Sequence, residues 1–154
     1  RFPSERLKAG IVSYYVSGVY EMGDRLGFHF DEVRNIHEVF TAPQDLHPIF
    51  GTVKKGTICG HRFTMTGLVN GKEKVTLRYV HKICNDIVAD PPVHDRIHIE
   101  GLPGDIDMEL KGMMPLDESY ATSAAPTINI IPSVVEADPG FRQAMDLPVV
   151  VPIE

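Results

Sequence analysis

Four side chains able to hold a small polar molecule or a metal ion sit in two pairs near the middle of the chain: Cys59 with His61, and Tyr79 with His81. Each pair is separated by one residue, the spacing that places both members on one face of a β-strand. Three chemistries fit the set. It can be a partly buried face whose histidines are hydrogen-bonded. It can line a pocket for a small polar substrate. It can supply Cys59, His61 and His81 to zinc, although the Cys-x2-Cys spacing of structural zinc sites is absent, and Cys84 falls on the opposite face by strand parity. A second set is Thr122 and Asn129. Seven residues are two helical turns, so both share one helix face, where a hydroxyl and an amide can orient a bound amine or carbonyl. The competing reading has Thr122 bonding back to a helix carbonyl and Asn129 satisfying backbone groups freed by Pro126 or Pro132. His47 lies in a long connection and can reach a cleft edge. Asn85 follows the His81 segment and can reach the same pocket. His94 and His98 would form a metal pair only on a helix, and their segment alternates like a strand. No G-x-S-x-G elbow or other nucleophile arrangement is present.

Elements must position these groups. Ile11, Tyr15, Val19, Met22 and Leu26 recur at helical spacing, which predicts a helix over 11–27 with Gly27 as its C-terminal cap. Residues 32–41 are rich in Val, Ile, Phe and Thr and predict a strand. Residues 42–56 read as a long connection, a length that is often functional. Residues 57–84 predict a hairpin around Asn70-Gly71. A two-residue loop there sets Phe63 and Met65 against polar partners. A three-residue loop, Val69-Asn70-Gly71 with Gly71 left-handed, pairs Met65 with Val75 and Phe63 with Leu77, and sets His61 opposite Tyr79 and Cys59 opposite His81. Residues 96–100 and 105–111 alternate and flank the turn Leu102-Pro103-Gly104-Asp105. The expected result is a four-stranded antiparallel meander. A proline-interrupted helix over 118–137 would cover its apolar face, and Val149 to Val151 would add a short final strand.

Composition narrows the class. With 154 residues, 43% hydrophobic and 23% charged, the chain suits one soluble domain, 1–154, with a sizeable core. A net charge of −6 offers no basic surplus for nucleic acid. No apolar run approaches a membrane span and no signal peptide is apparent. Two cysteines make a disulfide framework a poor fit and suit a reducing cytoplasm. The chain begins at Arg1 rather than Met, which suits a fragment.

The closing stretch carries a resemblance. Ala121-Thr122, Asn129-Ile130-Ile131-Pro132, Pro139-Gly140 and Asp146-Leu147-Pro148 follow one another as in the C-terminal domains of dihydrodipicolinate-reductase-like NAD(P)-dependent oxidoreductases. That family includes 2,4-diaminopentanoate dehydrogenase and the native amine dehydrogenases. Leu26-Gly27-Phe28 leading to Phe30-Asp31-Glu32-Val33, the run from Gly51 to Phe63, and Gly67 to Lys72 resemble the same family. The resemblance spans about residues 10–150. It implies an α+β fold: a largely antiparallel or mixed sheet of five to six strands, covered on one face by helices, forming the C-terminal domain of a two-domain Rossmann-type dehydrogenase. It implies NAD or NADP in the intact enzyme, held mainly by an upstream nucleotide-binding domain, and no cofactor on this chain alone. No G-x-G-x-x-G stands in the sequence to cradle a pyrophosphate. The implied partners are that upstream domain, an amine or carbonyl substrate and a second copy in a homodimer, with no nucleic acid or membrane. The resemblance places Thr122 and Asn129 on a segment that faces the active-site cleft, while His61, Tyr79, His81, Asn85 and His47 are the substrate-side candidates read from the strand pattern and the connection. Fold alone does not fix function, so a non-catalytic ligand-binding or dimerisation module is the alternative.

Overall fold

Apolar residues at three- and four-residue spacing form the first helix, and its end explains how the chain turns into the sheet. The computed structural model describes the backbone of residues 5–83, 95–110 and 119–148, and the side chains of 9–83, 95–109 and 124–148. Helix α1 runs Glu5–Arg25, beginning earlier than the apolar spacing predicts, because residues 5–10 carry helix formers without a full stripe. Its stripe of Ile11, Val12, Tyr15, Val16, Val19 and Met22 packs against the sheet. Gly27 adopts φ 75°, its N–H reaching the Asp24 carbonyl (3.2 Å) while the Phe28 N–H reaches the Gly23 carbonyl (2.8 Å). This paired closure is a Schellman cap, which glycine adopts without steric cost.

Three antiparallel strands follow, β1 (Glu32–Thr41), β2 (Ile58–Val69) and β3 (Lys72–Lys82), in the order β1-β2-β3. The hairpin register differs from the sequence expectation. Val69 pairs with Lys72, so the loop has two residues, Asn70 (φ 52°) and Gly71 (φ 71°), a type I′ turn. The parity conflict expected of that loop is removed by a bulge. Leu68 pairs with Glu73 and Gly67 with Val75, so Lys74 is the extra residue. Met65 therefore faces Leu77, Phe63 faces Tyr79 and His61 faces His81. The expected partners are displaced by two residues, and the apolar face is kept because two preserves parity.

The core lies between α1 and this face, centred on Val19, Phe63, Met65 and Val75. Helix α1 thus provides the cover that the sequence assigned to 118–137. The Phe30 ring is wedged against Gly23 of α1 and Gly67 of β2, where a Cβ on either glycine would collide with it. A second, smaller core joins Ala42, Leu46 and Cys59. It organises the 42–56 connection, which is pinned by the Leu46–Val53 bridge and by Asp45 accepting from Lys54 Nζ (2.7 Å) and the Lys55 N–H (2.9 Å).

The chain divides into two compact units, Arg1–Val93 and His94–Glu154. In the second, β4 (Asp95–Ile99) pairs antiparallel with β5 (Ile106–Leu110), joining Ile97 to Met108 and Ile99 to Ile106. Among the described residues the strands form a three-stranded sheet and a separate hairpin, fewer in one sheet than the five to six expected and not one meander. The α+β class holds. Helix α2 (Ser119–Asn129) is followed by α3 (Ile131–Glu136). The break falls at Ile130, with Pro132 in the first turn of α3, where a missing N–H costs no helical bond. The expected final strand at 149–151 lies outside the described residues.

Candidate functional site

Alternation along β1, β2 and β3 brings three imidazoles into a row on the face beneath α1. His37 Nε2 lies 3.0 Å from His61 Nδ1, and His61 sits directly opposite His81. The His37 ring stacks on Phe63 at 4.2 Å and 6°. Tyr79 lies beside His81, ring centres 6.3 Å apart, and stacks on Tyr15 of α1 at 4.4 Å. His37, His61 and Tyr79 are half-buried, and His81 is exposed. Burial first, and then the neighbouring His37 and His81, hold His61 below the usual imidazole pKa. Burial, reinforced by the Tyr79 hydrogen bond, pushes the Tyr15 phenol up to about 12.

This row changes the membership of the set read from the sequence. His61, Tyr79 and His81 come together. Cys59 departs, because β1 and β2 shift register between Phe40 and Thr41, with Thr41 pairing to Ile58. The thiol turns into the second core, donating to the Phe40 carbonyl at 3.5 Å. Among the described residues no group of three or more His, Cys, Asp or Glu is arranged to hold a metal. His37 and Tyr15 were missed as members. Alternation with Val33 and Val39 marked the face of His37, and Tyr15 was already in the helical stripe. What the sequence could not supply was the pairing of β1 onto β2.

The remaining candidates lie elsewhere. His47 is exposed, with Nδ1 3.3 Å from Thr52 Oγ1. Asn85 lies outside the described residues. His98 is on a strand as expected, between Asp107 (3.0 Å) and Glu100 (3.3 Å), and the Asp107 bond foremost raises its pKa. Thr122 and Asn129 both belong to α2, two turns apart, and Asn129 closes the helix, half-buried. Pro126, inside the helix, has no N–H to donate to the carbonyl of Thr122 four residues earlier.

The other sheet face is polar. Arg34, Ile36, Glu38, Arg62, Thr64 and Arg78 line part of a shallow trough of about 390 Å³. Arg62 grips Glu38 through two 2.7 Å bonds, and that hydrogen bonding foremost holds the Glu38 carboxyl below its usual pKa.

Sequence comparison decides the family. The profile of the 2,4-diaminopentanoate dehydrogenase C-terminal domain matches residues 7–154. The chain belongs to this family. Its fold is similar to part of a solved amine dehydrogenase from Mycobacterium smegmatis, with a TM-score of 0.64 at 17% identity. That similarity covers 84% of this chain and 37% of the enzyme, so the chain spans well under half of that protein's length. No curated protein sequence matches the chain. Among the described residues no helix is long and apolar enough to cross a membrane. The C-terminal domain identity accords with the Ala-Thr to Asp-Leu-Pro stretch on which the resemblance was built.

Proposed function

We propose that this chain is the substrate-side domain of a cytoplasmic NAD(P)-dependent oxidoreductase acting on an amine, imine or carbonyl, and that it works as a homodimer. The family match over residues 7–154 carries the reading. The dinucleotide itself does not fit this chain. The sequence has no Gly-rich phosphate turn, and the described strands pair only antiparallel, so the described residues form no βαβ unit to bind it. An upstream domain would therefore supply the cofactor, and with it the hydride chemistry.

The domain's own contribution is orientation. Thr122 offers a hydroxyl, Asn129 an amide, and Pro126 leaves the Thr122 carbonyl without its helical donor. A donor–acceptor group such as an amine or imine suits that combination, because an unpaired carbonyl beside a hydroxyl and an amide favours ligands that satisfy them. Tyr79 serves the packing of α1 in this reading, since its ring stacks on Tyr15 between helix and sheet, and His61 and His81 lie beside it in the same row.

Calorimetric titration with NADH and NADPH tests the division of labour, using the chain alone and the chain joined to its upstream nucleotide-binding region. The expected result is no binding alone, and binding with amine-dependent turnover when joined. Tight binding by the chain alone would overturn the proposal and favour an independent ligand-binding module. In the joined enzyme, Thr122→Val and Asn129→Leu should each lower kcat/KM by about ten- to a hundredfold, the loss of one substrate hydrogen bond, with little change in Tm. Unchanged kcat/KM in both variants would remove the two residues from the site.

A further inference from the structure

The imidazole row has a chemistry of its own that substrate binding does not use. His37 Nε2 and His61 Nδ1 face each other at 3.0 Å. Such a contact needs one donor and one acceptor, so only one of the two facing nitrogens can carry a proton. Protonating both rings would turn the contact into two opposed N–H groups and two like charges. His81, exposed and directly across from His61, adds a third titrating ring to the same row. Among the described residues, the groups facing the row are His37 from β1, Tyr79 and His81 from β3, and Tyr15 from α1. The acidic side chains of β1, Glu32 and Glu38, lie on the opposite face by parity and engage Arg34 and Arg62.

The row also sits at one end of the helix–sheet contact. The C-terminal part of α1 is fixed by the Phe30 wedge at Gly23 and Gly67. Tyr15, further toward the N-terminus, rests on Tyr79, and Tyr79 adjoins His81. The N-terminal half of α1 therefore extends toward the histidines.

We propose that His37, His61 and His81 form an acid-operated latch: neutral rings hold the N-terminal half of α1 on the sheet, and protonation of more than one of them releases it while the Phe30 end stays docked. The lowered pKa of His61 is consistent with a ring kept neutral in the closed state.

Hydrogen–deuterium exchange on the full chain, at pH 7.5 and pH 5.5 and corrected for intrinsic exchange, tests the latch. Amides of residues 9–17 should lose protection by about tenfold at the lower pH, while residues 62–68 of β2 stay protected. In His61→Gln the pH-dependent loss over 9–17 should disappear. Equal protection at both pH values would overturn the proposal, as would the same loss in wild type and His61→Gln. Should His61→Gln fail to fold, His81→Gln at the exposed end of the row replaces it. A reduced loss there supports the latch, and an unchanged loss overturns it.

Discussion

Phe30 shows how a single ring fixes the join between helix and sheet. It occupies the space that side chains at Gly23 and Gly67 would take, and a Cβ on Gly67 would lie 2.5 Å from the ring. An alanine in a strand ordinarily restricts the unfolded chain and stabilises, but here overpacking decides the sign. Gly67→Ala should cost about 1–3 kcal/mol, read as a lower urea midpoint at constant slope. Adding Phe30→Leu should return part of that loss, because the two sites are in contact. No change in midpoint for Gly67→Ala would mean that the ring moves aside freely. Neither close approach was legible in the sequence. Gly23 sits in a helical stripe and Gly67 in a strand, and only their convergence on Phe30 explains why side chains are absent.

The β2–β3 hairpin shows at the level of elements what pattern can and cannot specify. Alternation identified which residues share a face, and that reading survives: Phe63, Met65, Leu77 and Tyr79 all meet beneath α1. It could not separate a three-residue loop from a two-residue loop with a bulge, since both restore the same parity. The Gly27 cap of α1, the extent of β1 and the β4–β5 turn were likewise legible from local signals, whereas α1 starts at Glu5, six residues before its apolar stripe opens at Ile11. The partner of β1 and the helix covering the sheet depend on long-range contacts that spacing alone does not encode. The candidate site divides the same way. Thr122 and Asn129 were legible from helical spacing, whereas the link between His37 and His61, residues 24 apart in the chain, needed the register of two strands. The bulge itself is testable. Deleting Lys74 should leave a regular two-residue hairpin in which Gly67 still pairs with Val75, Met65 with Leu77 and Phe63 with Tyr79, so cooperative thermal unfolding by circular dichroism should persist. Loss of the cooperative transition would show that the hairpin cannot close without the extra residue.

Across the whole chain, the two compact units carry histidines of opposite response. His61 is held below the usual imidazole pKa. Its contribution to folding is therefore complete above the unfolded value of about 6.5, and is lost as pH falls below that value toward the folded one. His98 is raised, chiefly by Asp107. Its contribution is complete below the unfolded value and is lost as pH rises through the folded one. Titration followed by histidine NMR should place His61 below His98, and reversal of that order would contradict the geometry of both sites. The second unit also leaves Ile97, Ile99, Ile106 and Met108 about half exposed. The first unit holds a different resource. Cys59 is almost fully buried where β1 and β2 lose register, and a thiol reagent meets it only when that core opens. In a Cys84→Ser background the rate of Cys59 alkylation would therefore time the opening of the 42–56 connection from inside the protein, with no added fluorophore.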